Sequence, residues 1–138
     1  GEAGGLAHGP TFMANPLACA VAAASLSLLD DGAWRGRVAM IGERLAAGLG
    51  ALDGTPGVTE VRTLGAIGVI ELDREVDMVA ATDAALAQGV WLRPFRNLIY
   101  AMPPYICAPG EVDRIAAAMV SAARAGLAAA PSPEAVSA

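Results

Sequence analysis

The sequence predicts an α+β fold in which a small antiparallel sheet is covered on one face by helices, and three observations carry that prediction. Residues 58–64 and 66–72 are rich in β-branched side chains and are bounded by glycine and proline, the composition of short strands. Apolar residues recur at intervals of three and four from Trp34 to Leu52 and again from Val112 to Ala123, the spacing of one helical face. Between these stretches, Arg96-Asn97 divides residues 90–102 into two extended arms, the pattern of a hairpin with a two-residue turn.

The elements follow in order. Asn15 caps a first helix and Pro16 opens it, because an Asn side chain accepts from the free N–H groups of the first turn and proline has no N–H to leave unpaired. The apolar run from Pro16 to Leu29 has no basic segment before it, is followed by Asp30-Asp31, and falls short of the roughly 20 apolar residues a bilayer span needs. It reads as a helix rich in alanine because it packs closely. After Asp30-Asp31-Gly32, the stripe Trp34, Val38, Ile41, Leu45, Leu49 and Leu52 makes one face of a long helix, ended by Gly54-Thr55-Pro56-Gly57. Two strands joined at Gly65, or one bulged strand, come next; Gly68 inside the second reads as a bulge in preference to a close approach of another backbone. A short helix from Val76 to Gln88, carrying Val79 and Leu86, ends at Gly89. In the strand that follows, Val90, Leu92 and Pro94 share one face while Trp91, Arg93 and Phe95 share the other. Pro94 removes a ladder donor, which puts this strand at an edge or beside a site. Asn97 is the residue of the turn suited to positive φ, and Pro103-Pro104 stops the returning strand. A last helix after Pro109-Gly110 carries the stripe Val112, Ile115, Ala116, Met119, Val120 and Ala123, and residues 128–138 read as a disordered tail.

Composition narrows the function. With 138 residues and 55% apolar side chains the chain can bury one core. A net charge of −5 with scattered arginines excludes a nucleic-acid surface, which needs clustered cations. Cys19 and Cys107 show neither metal spacing nor a disulfide framework, so reduced thiols in a cytoplasmic protein are expected. All nine cationic side chains are arginine; the sequence has no lysine.

Two stretches carry chemistry. The loop Gly9-Pro10-Thr11-Phe12 enters a helix N-terminus, where unpaired N–H groups and the helix dipole favour an anion such as phosphate; an ordinary helix cap has the same local signature. Arg93 sits between two aromatics, where its planar fork suits a bidentate grip on a carboxylate, and an arginine on a strand face also serves as a solvated or ion-paired residue. His8, the one histidine, reads as a loop residue satisfied by local hydrogen bonds, and Tyr100 and Tyr105 as core or interface. No metal cluster and no catalytic triad pattern is present in the sequence.

The string His8-Gly9-Pro10-Thr11-Phe12-Met13-Ala14-Asn15-Pro16-Leu17-Ala18-Cys19-Ala20 resembles the cofactor loop and helix of the class III aminotransferases, and Gly89 to Ile106, GVWLRPFRNLIYAMPPYI, resembles a second motif of the same family. Gly-Pro-Thr-Phe-Met and Trp-Leu-Arg-Pro-Phe are most similar to the branch that serves biotin biosynthesis. The resemblance extends over about Ala7 to Leu127 and implies the C-terminal portion of a fold-type I pyridoxal-phosphate enzyme. Residues 1–30 would end the large cofactor-binding domain and residues 31–127 would form the small C-terminal domain. It further implies pyridoxal 5'-phosphate as cofactor, held by Thr11 with Pro10 beside it, and a homodimer in which that loop serves the other subunit's site. Gly9 would lie against the substrate, Arg93 would bind the substrate carboxylate, and Phe95 would form pocket wall. The implied reaction moves the amino group of S-adenosylmethionine onto 8-amino-7-oxononanoate, giving 7,8-diaminononanoate. The family's lysine lies upstream of the loop, so with no lysine and a Gly1 start the sequence reads as a fragment without a catalytic residue of its own. Another class III ω-amino-acid transaminase and a non-catalytic α+β binding module are the alternative readings.

Overall fold

The computed structural model describes residues 9, 11 and 13–128, and its contacts divide the chain into two compact units, Gly1–Trp34 and Arg35–Ala138. The expected tail beyond Ala128, and the readings of His8, Pro10 and Phe12, lie outside the described residues.

In the first unit, helix α1 runs Pro16–Ser27. It starts as its sequence requires: Pro16 stands in the first turn and the Asn15 side chain accepts from the Ala18 N–H at 3.1 Å. Its side chains are apolar except for Ser25 and Ser27, yet none of its residues is buried.

The second unit is helical on one side and a sheet on the other. Helix α2, Trp34–Leu49, continues into a short 3-10 turn at Gly50–Leu52. Ile41, Leu45, Leu49 and Leu52 of the predicted stripe are fully buried. Strands β1 (Val58–Leu64), β2 (Ile67–Leu72) and β3 (Leu98–Ala101) form an antiparallel sheet in the order β1-β2-β3. Gly68, Ile70 and Leu72 of β2, with Ile99 and Ala101 of β3, face the core, while Val69, Glu71 and Tyr100 face the other way. The period of two thus buries one face of the sheet alone.

Gly68 corrects the expectation of a bulge there. It pairs regularly with Thr63 and Ala101, and the only irregularity in the β1–β2 register falls between Val58 and Glu60. What occupies its missing side chain is the helix layer: a Cβ at Gly68 would lie 3.1 Å from Leu49 and 3.4 Å from Leu45. Close approach of α2 to β2, the reading set aside from the sequence, is the reason for this glycine.

Helix α3, Met78–Leu86, is shorter than predicted because Asp77 caps it, its carboxylate accepting from the Ala80 N–H at 3.0 Å. Ala81 and Ala85 are its buried residues, whereas Val79 and Leu86 are exposed, so α3 presents its small face and approaches α4 closely. Helix α4, Pro109–Ala128, opens with Pro109 and with Glu111 reaching back to accept from the Ala108 N–H at 2.7 Å, half of a capping box. Its buried set includes Ala118, Ala122 and Gly126 beyond the predicted stripe, because α4 is packed by α3 as well as by the sheet. Across from it, Arg44 of α2 donates to both carboxylate oxygens of Asp113, at 2.6 and 2.8 Å.

Two glycines of α2 fix how near it comes to its neighbours. A Cβ at Gly42 would stand 2.6 Å from the Gly65 carbonyl oxygen in the β1–β2 turn, and one at Gly48 would stand 2.5 Å from the Cβ of Ala116 in α4. Gly36 of the same helix has open space around it. Gly42→Ala should therefore destabilise the protein by about 1–3 kcal/mol through overpacking against rigid backbone. Gly36→Ala should stabilise it by up to about 1 kcal/mol through helix propensity. Urea midpoints for the two variants check the pair, and a Gly42→Ala protein as stable as wild type would refute the close crossing.

Candidate active site

The sequence from Val90 to Pro94 was expected to be a strand, and it is not one. Only Phe95 pairs with Leu98, as an isolated bridge, its N–H and carbonyl each bonded to Leu98 at 2.9 Å. The predicted two-residue turn at Arg96-Asn97 is present, but the residue with positive φ is Arg96, at 54°, and not Asn97. Continued toward the N-terminus, this hairpin would set Arg93 opposite Tyr100. It opens instead: residues 91–94 belong to no strand and Arg93 makes no bridge to Tyr100.

The alternation survives the loss of the ladder. Leu92 is 6% exposed and Pro94 is buried, whereas Trp91 is 68% and Phe95 60% exposed, with Arg93 exposed between them. Where the two arms part, an open cleft of about 430 Å³ forms along the free edge of β3. Trp91 and Arg93 stand on one wall, Tyr100, Met102 and Pro103 on the other, and Ile115 of α4 joins them. Phe95 does not line this cleft. Tyr100 and Tyr105, expected as core or interface, are 37% and 44% exposed; neither is core. Tyr100 was missed as a cleft residue, and the register about Arg96-Asn97, carried three residues along each arm, would have found it.

Arg93 has no ion-pair or hydrogen-bond partner among the described residues, while Arg44, Arg62 and Arg74 are each bound to carboxylates. A guanidinium left unpaired at the wall of a largely apolar cleft keeps its fork free for a ligand carboxylate.

The turn that carries this segment is tied to β2. Val76 N–H donates to the Arg96 carbonyl at 2.8 Å and Leu72 N–H to the Asn97 carbonyl at 2.9 Å. The Asn97 amide donates to the Leu72 carbonyl at 3.1 Å and to Glu71 at 3.4 Å. Arg62 in turn bridges Glu71 at 2.7 Å and Glu60 at 2.6 Å. Hydrogen bonding from Arg62 and then the charge of Arg62, with help from Asn97, hold the Glu71 carboxyl below its ordinary value. Because the folded value is lowered, the stabilisation is complete above the unfolded value and is lost as pH falls through the folded one. Acid unfolding of wild type beside Glu71→Gln checks this: the variant's stability should fall less steeply across the carboxylate range.

The other chemistry-bearing stretch lies in the first unit. Thr11 and Gly9 are exposed, and a Cβ at Gly9 would meet nothing within 4 Å. Ala14 turns the chain into the helix with φ of 59°. No acidic residue stands in the first turn of α1. A free hydroxyl, a glycine with open space and a helix start without negative charge together fit a phosphate group.

The class III aminotransferase family model matches residues 2–123. The chain belongs to this family. It is 63% identical over 123 residues to adenosylmethionine-8-amino-7-oxononanoate aminotransferase of Mycobacterium leprae, a match covering 89% of this chain and 28% of the relative. The enzyme of the same name from Corynebacterium glutamicum is 52% identical over 121 residues, covering 88% of this chain and 29% of the relative. Among solved structures, the ω-transaminase from Pseudomonas jessenii in complex with PMP superposes with a TM-score of 0.72 at 26% identity, over 85% of this chain and 28% of that one. The chain thus spans a little over a quarter of the length of the relatives it matches, and its α+β architecture is that of a transaminase portion. No helix among the described residues is long and apolar enough to cross a membrane, and no group of His, Cys, Asp or Glu among them could hold a metal ion.

Proposed function

We propose that this chain is the anchoring part of a pyridoxal-phosphate aminotransferase that moves the amino group of S-adenosylmethionine onto 8-amino-7-oxononanoate. The observation that carries the reading is the unpaired Arg93 at its cleft, standing in a Trp-Leu-Arg-Pro-Phe segment within a chain so similar to two relatives named for that activity. The cofactor, when bound, supplies the electron sink for amino transfer. The Thr11 hydroxyl donates to its phosphate, and the start of α1 adds its dipole. Pro10, next to Thr11 in sequence, would complete the cofactor loop. Gly9, without a side chain, leaves room for the substrate. Arg93 grips the acceptor's carboxylate with two parallel N–H bonds, with Trp91 beside it at the cleft wall; Phe95, expected as pocket wall, stands outside that cleft.

Residues 1–30 would then belong to the large domain, where the apolar surface of α1 finds its partners, and residues 31–127 to the small one. The loop of one subunit would serve the cofactor site of the other in a homodimer, in the cytoplasm.

In the full-length enzyme, Thr11→Val should loosen the cofactor by about 10- to 100-fold, the worth of one hydrogen bond to a charged group, and leave substrate preference unaltered. Titrating resolved apoenzyme with pyridoxal phosphate measures it; equal affinity in the two proteins would reduce Thr11 to a loop residue. The reaction itself is tested by supplying both substrates to the full-length enzyme, and failure to form 7,8-diaminononanoate would reject the assignment.

A further inference from the structure

We propose that Asn97 is a positioning residue for Arg93, its side-chain amide replacing a backbone donor that the turn has withdrawn from the sheet; this rests on the reading of Arg93 as the carboxylate grip. The β2–β3 ladder pairs Glu71 with Leu98, so its next pair would be Leu72 with Asn97. Alternate pairs of an antiparallel ladder exchange two backbone bonds, and Leu72 with Asn97 falls at such a position. Leu72 N–H does reach the Asn97 carbonyl at 2.9 Å, but the donor to the Leu72 carbonyl is the Asn97 side chain, at 3.1 Å. Asn97 thus serves both polar groups of Leu72, a fully buried residue, with one backbone and one side-chain atom.

This exchange lets the chain turn while staying locked to the end of β2. The turn must be locked, because the arm beyond it has almost no ladder of its own: past the Phe95–Leu98 bridge, residues 91–94 belong to no strand, and Arg93 lies two residues from that bridge. The turn is tied as well by the Val76 N–H to the Arg96 carbonyl, and the arm is met by the Thr82 hydroxyl donating to the Leu92 carbonyl at 3.5 Å, with Leu92 and Pro94 buried on either side of Arg93. An amide is needed at position 97. A carboxylate of the same shape has no proton to donate to the Leu72 carbonyl and would meet the charge of Glu71, 3.4 Å from the present amide nitrogen. The contact with Glu71, itself held by Arg62, sets which way the amide faces.

The test is a double-mutant cycle in the full-length enzyme with Arg93→Ala and Asn97→Asp, read as kcat/KM for 8-amino-7-oxononanoate beside the cofactor's dissociation constant. Asn97→Asp should lower kcat/KM by about tenfold, mainly through KM, in the presence of Arg93, and change it less than about twofold in the Arg93→Ala background. Cofactor affinity should stay at its wild-type value. Asn97→Ala, which removes the donor without adding charge, carries the same cycle if the Asp variant does not fold. An equal loss in both backgrounds, or a lowered melting temperature with kcat/KM intact, would make Asn97 a purely structural residue and overturn the proposal. An Arg93→Ala enzyme with unaltered kcat/KM would instead bring down the reading of Arg93, so the two failures are told apart.

Discussion

The 138-residue chain by itself, incubated with pyridoxal phosphate and reduced with borohydride, should gain no stoichiometric cofactor outside its N-terminal residue and should catalyse no transamination. Covalent attachment of this cofactor requires an amine that is nucleophilic once deprotonated, and a lysine side chain is what supplies it. This chain has none: all nine of its cationic side chains are arginine, whose guanidinium stays protonated. The remaining primary amine, at Gly1, is ten residues before Thr11 in sequence. Peptide mapping of the reduced protein reads the label directly. Joined to a lysine-bearing portion of the family fold, the same chain should support both attachment and turnover, because Thr11 and Arg93 would then have a phosphate and a carboxylate to hold. Turnover by the chain alone, free of contaminating enzyme, would overturn its assignment as the anchoring part of a larger catalyst.

What could be read from the sequence follows from how local the cause was. Asn15-Pro16 specifies the start of α1 within four residues, and the structure starts the helix there. The stripe from Ile41 to Leu52 is repeated often enough that its burial follows from periodicity alone. Gly68 was misread because its reason lies in Leu45 and Leu49, more than fifteen residues away in another layer, and a glycine in a strand pattern has the same appearance whether it marks a bulge or an approaching helix. The arm from Val90 to Pro94 kept its alternation and lost its ladder for a similar reason: side-chain alternation is a property of extended backbone, while strand pairing depends on where the fold places the partner strand. The positive φ at Arg96 runs against residue preference, since Asn tolerates that region better. In the structure Asn97 continues the β2–β3 register, its carbonyl accepting from Leu72 N–H and its side chain donating to Leu72 and Glu71, and Arg96 is the residue with positive φ.

The candidate site divides in the same way. That Arg93 shares a face with Trp91 and Phe95 is a consequence of period two and was open to reading. That Tyr100 and Met102 form the facing wall, and that Phe95 stands outside the cleft, depends on where the two arms part, which only the fold reveals. The roles of Gly9 and Thr11 rested on resemblance, because a threonine before a capped helix is chemically suited to a phosphate without being committed to one.

Arg93→Ala in the full-length enzyme should weaken use of 8-amino-7-oxononanoate by about 1.5–3 kcal/mol, the range for a hydrogen bond to a charged group, which is about 10- to 100-fold in kcat/KM. The expectation follows from the surroundings of the guanidinium: it has no carboxylate partner among the described residues, and it stands beside Trp91 at a cleft with an apolar far wall. A ligand carboxylate entering there would meet one cation and little competing polarity. Removing that cation leaves the carboxylate facing Met102, Pro103 and Ile115, where it has no charged partner. Arg93→Lys should recover little of the loss, since an ammonium group is a point charge and cannot make two parallel N–H bonds to one carboxylate. Steady-state kinetics on the two variants, with cofactor affinity measured alongside, separate a lost substrate contact from a disturbed fold: the cofactor should bind as in wild type. An alanine variant with unchanged kcat/KM for both substrates would remove Arg93 from the site.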